Sequence, residues 1–135
     1  MKSRFFNRDF FYLSFMEFSV EKIENYTLVK ILITRLSALI APKLKAELVV
    51  LSSTGNSNIL LDISACEYCD DSGLSAILTA NRLCKNSKGV FVLTGINSNV
   101  DEFINLTQLD KEINIAYNIK IADQVIKKMI EEKEQ

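Results

Sequence analysis

The sequence predicts an α/β fold, with a mixed β-sheet of about four to five strands packed against about four helices. Two short runs, Asn58–Ile63 and Val90–Leu93, are almost continuously apolar. Strands covered on both faces have that look. Between and after them, apolar residues recur at helical spacing. Ahead of them, two segments separated by Glu24-Asn25 have hairpin character. Strands alternating with helices after an opening hairpin imply a mixed sheet with helices laid against it. The predicted order is β-β-α-β-α-β-α-β-α.

Each element has its own signal. Met16 to Glu21 alternates weakly, and Tyr26–Ile33 is rich in β-branched and aromatic residues. Ala41-Pro42 opens the first helix, because proline is tolerated where its missing N–H would be unpaired anyway. Leu44, Leu48 and Leu51 then share a face with Ala41, and Ser52 to Asn56 end the helix. Either Asp71 or Ser72 can cap a second helix running to Cys84 or Lys85. Its apolar positions are Leu74, Ile77, Leu78 and Leu83, and Asn86-Ser87-Lys88-Gly89 ends it. Asn97 or Ser98 caps a third helix, with Val100, Phe103, Ile104 and Leu106 apolar. Ile113–Ile115 is a short strand candidate, and Ile121–Ile130 is a last amphipathic helix.

Composition bounds the function. The chain has 135 residues, the size of one domain, with 48% hydrophobic and 24% charged residues. Net charge is −1, so no basic field points to nucleic acid. No apolar run is long enough to span a membrane, and stable membrane association is not expected. There is no histidine, which removes the usual general base, metal ligand and nucleophile partner. Carboxylates and lysines remain for catalysis, but no metal, cofactor or catalytic residue is expected. Three cysteines, Cys66, Cys69 and Cys84, with no signal-peptide pattern, suit a reducing cytoplasm better than a disulfide framework.

Residues 1–15 read differently from 16–135. Phe5, Phe6, Phe10, Phe11, Tyr12 and Phe15 crowd a short stretch with Lys2, Arg4, Arg8 and Asp9. The stretch is an N-terminal extension. It reads as a loosely specified tail, or as an aromatic arm that docks on a partner, a membrane surface or a second copy of the chain.

The candidate site is Asp70-Asp71-Ser72-Gly73, between a buried strand and a helix. In open α/β sheets ligands and partners gather at strand C-termini. A helix start offers free N–H groups and positive potential, which suit an anion. The competing reading is a plain helix cap, worth about 1 kcal/mol. Cys66-Glu67-Tyr68-Cys69 has redox-motif spacing, and a helix start would lower a thiol pKa. The plain alternative is buried structural cysteine. Lys127-Lys128 and Glu131-Glu132 stand at i,i+4 spacing, a solvated face. Tyr12, Tyr26 and Tyr68 have no partner implied by spacing.

From Met16 to Met129 the chain resembles the STAS domain, the fold of anti-sigma-factor antagonists. The resemblance is carried by Ile59–Ile77, where an apolar strand leads to Asp70, Asp71, Ser72, Gly73 and Leu74. The family has there an aspartate, two hydroxyl residues, a glycine and a leucine. Gly89–Thr94, the helix after it, the short strand and the last helix also fit. The resemblance implies a non-catalytic module that binds a kinase-type anti-sigma factor of histidine-kinase-like ATPase fold and so regulates transcription in a bacterium. In the family, phosphate on the first hydroxyl residue blocks that binding.

Position by position, Asp71 falls on the phospho-acceptor and Ser72 on the second hydroxyl. A carboxylate carries about one negative charge, where phosphoserine carries about −1.5 to −2. Three expectations stay open. Asp71 makes a fixed form outside phospho-control, Ser72 has become the acceptor, or the module binds an unrelated partner. The expected partner surface comprises Asp70, Asp71, Ser72, Gly73, Leu74 and Ser37. Two departures bear on it. The family's glycine and acidic residue before the first helix are replaced by Thr34-Arg35-Leu36-Ser37, and its small residue-glycine-leucine appears as Thr107-Gln108-Leu109. The rival class is a sensory or scaffold module of the same fold, binding a small anion, a nucleotide or another protein outside sigma-factor control.

Overall fold

The computed structural model describes residues 17–134. The aromatic extension of residues 1–15 therefore lies outside the described residues. Strand β1 (Phe18–Ile23) and β2 (Tyr26–Ile31) form the expected hairpin, antiparallel, with Phe18 opposite Ile31 and Ile23 opposite Tyr26. Strands β4 (Ile59–Asp62), β6 (Phe91–Thr94) and β7 (Asn114–Ala116) follow β2, each parallel to its neighbour. The sheet order is β1-β2-β4-β6-β7. Two two-residue strands, β3 (Arg35–Leu36) and β5 (Tyr68–Cys69), pair parallel in a separate small ladder. They are too short to leave a periodic signal in sequence.

The helices are α1 (Ala41–Ser53), α2 (Asp71–Asn86), α3 (Ser98–Thr107) and α4 (Ile119–Lys133). They divide unequally between two cores. On one face Leu44 and Leu48 of α1, Ile77 of α2 and Ile104 of α3 pack with Val29, Ile31, Ile59, Leu61 and Leu93. On the other, Ala122, Ile126 and Ile130 of α4 pack alone against Leu60, Val92 and Tyr26. This explains the unbroken apolar run of β4. Ile59 and Leu61 enter one core, Leu60 the other, and all four of its residues are buried.

Several local expectations change. The cap of α2 is Asp70, neither Asp71 nor Ser72. Leu106 is 76% exposed, because α3 ends at Thr107 and Leu109, in the 3-10 turn after it, takes the buried place. Helix α4 starts two residues early, capped by Asn118, whose Oδ1 accepts from Ile121 N at 2.9 Å. Lys127 pairs with Glu24 at 2.6 Å and with Asp123 at 3.4 Å, rather than with Glu131. Tyr26 has a partner that spacing could not reveal, its hydroxyl donating to Asp123 Oδ1 at 2.6 Å. After α2 it is Lys88, φ 60°, that takes the left-handed turn. Gly89 is needed for closeness, since a Cβ there would lie 1.8 Å from the Ser57 carbonyl oxygen.

Candidate functional site

The start of α2 is held in place by β3 and β5. Arg35 pairs with Tyr68 and Leu36 with Cys69. The N–H groups of Glu67 and Tyr68 donate to the Thr34 carbonyl at 2.8 and 3.2 Å. The Asp70 N–H donates to the Leu36 carbonyl at 3.2 Å, while Asp70 Oδ1 accepts from Gly73 N at 3.0 Å. Asp70 thus serves one of the orphan donors of the helix start. Gly73 is where the helix touches its support. A Cβ there would sit 2.4 Å from the Leu36 carbonyl oxygen and 2.7 Å from Cys69 Sγ. This close approach is the local physical reason for a glycine at the position.

Asp71 is exposed in the first turn, and Ser72 is half-buried beside it. Among the described residues neither side chain has a hydrogen-bond partner. A carboxylate at a helix start is favoured by the positive end of the helix dipole. Asp71 is a ridge between two shallow hollows. One, of about 360 Å³, is lined by Glu67, Tyr68, Asp70, Asn99 and Phe103 as well. The other, of about 280 Å³, is lined also by Ala38, Pro42, Lys45, Ser72 and Ser75. Lys45 Nζ donates to Ser75 Oγ at 2.8 Å. The guanidinium of Arg35 lies 4.1 Å over the Tyr68 ring. The surface therefore mixes three acids, two cations and exposed aromatic area.

The six expected residues divide by role. Asp71 and Ser72 face outward, while Asp70 and Ser37 organise backbone. The Ser37 carbonyl accepts from Ile40 N and Ala41 N at 3.0 and 2.8 Å, and its Oγ from Leu39 N at 3.4 Å. Gly73 and Leu74 are buried, and Leu74 is part of the core. Ser37 is joined to the α2 start through Leu36, the residue before it. Lys45, Glu67, Asn99 and Phe103 were not tied to this surface from sequence, and Arg35 only as part of the Thr34–Ser37 departure. Only the β3–β5 pairing and the packing of α3 bring them to this surface.

The cysteine pair is core. Cys66 is fully buried, its thiol donating to the Ile33 carbonyl at 3.5 Å, and Cys69 is 6% exposed. Burial, seconded by nearby Asp62, pushes the Cys66 thiol up to about 11. Burial, with Cys66, Asp70 and Asp71 adding to it, pushes Cys69 up to about 12. Desolvation outweighs the helix start, so the site does not supply the lowered thiol pKa that the redox reading needed. Among the described residues no cluster of carboxylates and thiols could hold a metal ion. No helix there is long and apolar enough to cross a membrane.

Comparison with known proteins agrees with this architecture. The family described as "Mlab, STAS domain" matches residues 31–119. A Thermotoga maritima protein provisionally named an anti-sigma factor antagonist superposes with TM-score 0.72 at 24% identity, covering 82% of this chain and 94% of its own. A sulfate transporter family protein from Wolinella succinogenes gives 0.70 at 16% identity, covering 81% and 90%. The Bacillus cell fate determinant SpoIIAA in its phosphorylated form gives 0.63 at 16% identity, covering 80% and 98%. At these identities the superpositions establish a shared fold. With the family match spanning most of the chain and the mixed five-stranded sheet flanked by four helices, this protein belongs to the STAS domain family.

Proposed function

We propose that the chain is a non-catalytic interaction module that binds a kinase-type anti-sigma factor through the start of α2, and so acts in control of transcription in a bacterial cytoplasm. The observation that carries this is the placement of Asp71. It stands exposed on a helix start fixed by β3 and β5, between two hollows, with no hydrogen-bond partner among the described residues. A rigid, outward, unpaired charge suits recognition. SpoIIAA, whose fold this chain shares, exists in a phosphorylated form. Here the acceptor position is a carboxylate, and the module is held outside that switch.

The test uses a purified kinase-type anti-sigma factor and ATP. The parent should bind and take no phosphate. Asp71→Ser should restore phosphorylation, and Asp71→Lys should change affinity by about tenfold, or 1.4 kcal/mol. Phosphate on Ser72 of the parent would mean that the acceptor has moved by one residue. Loss of all binding to such partners, with no response to either substitution, would end the proposal.

A second reading has its own support. The STAS fold of the sulfate transporter family protein occurs in a chain whose name places it away from sigma factors. On that reading the same surface binds a small anion, a nucleotide or another protein. The hollow beside Lys45 is the place for an anion, close to Ser72 and to the helix start.

A further inference from the structure

The C-terminal edge of the sheet carries a second polar constellation, on the face covered by α4. Lys30, Asp62, Thr94 and Ala116 stand in register across β2, β4, β6 and β7. The row two residues earlier begins Leu28, Leu60, Val92 and belongs to the apolar core. One row thus changes from hydrocarbon to a cation, an anion and a hydroxyl. Thr94 is satisfied, its hydroxyl donating to the Ala116 carbonyl at 2.9 Å.

Asp62 is 4% exposed. Its Oδ1 accepts from Ser64 N at 2.9 Å, and Gly95 closes over that contact. With φ +84°, Gly95 would place a Cβ 2.6 Å from the same Oδ1. Among the described residues, Asp62 Oδ2 has no hydrogen-bond partner. Lys30, its register neighbour, forms no ion pair with it; the pairs among the described residues are Lys43–Glu17, Lys127–Glu24 and Lys127–Asp123. A buried carboxylate with an oxygen unmatched is costly unless something pairs with it.

Both charges line one hollow of about 460 Å³, with Ser64, Ile96, Tyr117 and Ile119 around them. The start of α4 forms its rim. Asn118 serves the N–H groups of Ile121 and Ala122, through Oδ1 and its carbonyl. The first two N–H groups of α4, on Ile119 and Lys120, are left for solvent or a ligand. Tyr117 is 84% exposed and Ile119 43%. These features select against simple ions. A bare anion meets Asp62, a bare cation meets Lys30, and one carboxylate is too little for a metal.

We propose that this hollow binds a small zwitterion of the α-amino acid class. The ammonium pairs with Asp62 Oδ2. The carboxylate faces Lys30 and the open N–H groups of α4. An apolar side chain lies along Ile96, Tyr117 and Ile119. The site is on the opposite face of the sheet from α2 and does not depend on the identity of the protein partner.

The test is a titration of the full chain with free leucine, followed by amide chemical shifts. Two controls each lack one charge: isopentylamine has no carboxylate and 4-methylpentanoate no ammonium. Leucine should give saturable shifts at Ser64, Gly95 and Ile119, and each control should bind at least about tenfold more weakly. Asp62→Asn keeps the contact to Ser64 and should weaken leucine by a similar factor. Lys30→Met, on an exposed strand position, does the same without touching the buried carboxylate. No saturation by leucine at about 10 mM, a fragment binding as well as leucine, or either variant binding like the parent with its spectrum intact would overturn the proposal.

Discussion

Helices α2 and α4 begin with the same device and present different surfaces. Each start is capped by an Asx side chain whose Oδ1 takes the N–H three residues on, Gly73 for Asp70 and Ile121 for Asn118. At α2 the cap is charged, Asp71 adds a second acid, and the turn is pressed onto Leu36 and Cys69. At α4 the cap is neutral, and its neighbours Tyr117, Ile119 and Ile121 are exposed. Local capping chemistry is therefore the same at a start pressed onto a second ladder and at one open to solvent. What lies beneath and beside the cap differs.

The contrast can be broken most strongly by alkali. Burial pushes Cys66 to about 11 and Cys69 and Cys84 to about 12, from the usual 9.0. Burial and the bond to Asp123 push Tyr26, on the α4 side, upward as well. An acid whose folded pKa is raised favours the native state below its unfolded pKa. That contribution is lost as pH climbs through the folded value. Urea midpoints should hold up to about pH 9 and then fall toward pH 12. Cys69→Ala should make the fall shallower without moving its onset, and a midpoint flat across that range would contradict the burial of these thiols.

Packing comes next. Gly73→Ala drives a Cβ into the Leu36 carbonyl, and should cost about 1–3 kcal/mol in urea unfolding. Ile121→Ala, the equivalent cap-plus-three position of α4, is 41% exposed and should cost well under about 1 kcal/mol. Equal costs would erase the distinction between a supported and a free helix start.

The caps should be closer to equal. Asp70→Ala and Asn118→Ala should each cost about 1 kcal/mol. Asp70→Asn keeps the acceptor and removes the charge, so stability should barely move while affinity for a protein partner changes. The smallest effect belongs to Gln108, which ends α3 in the left-handed region at φ 59°. Gln108→Gly should raise stability by up to about 1 kcal/mol, since glycine enters the left-handed region without the Cβ cost. A lower midpoint would mean that the Gln108 side chain contributes contacts worth more than the strain.

Most of the frame was legible in the sequence because it is written in local chemistry. The double-sided burial of β4 shows as Ile59-Leu60-Leu61, the proline of α1 sits in its first turn, and Asn97, one of two candidates with Ser98, caps α3. The aspartate-to-leucine motif located the α2 start. Its internal roles were less legible. Asp70, Asp71 and Ser72 are all competent caps by residue type, and the path of the chain from β5 decided among them. Cys66 and Cys69, read as structural, kept a redox alternative until their burial was known.

By itself, the sequence determined the α/β class, the order of the main elements and the family. Those depend on periodicity, capping and residue identity, which act over a few neighbours. Tertiary structure alone decided that β3 and β5 clamp the α2 start and that Tyr26 reaches Asp123. It also decided that Lys30 and Asp62 share a row on the α4 face. Each joins residues some thirty to a hundred positions apart. Such pairings follow from register and layer packing, which no local spacing encodes.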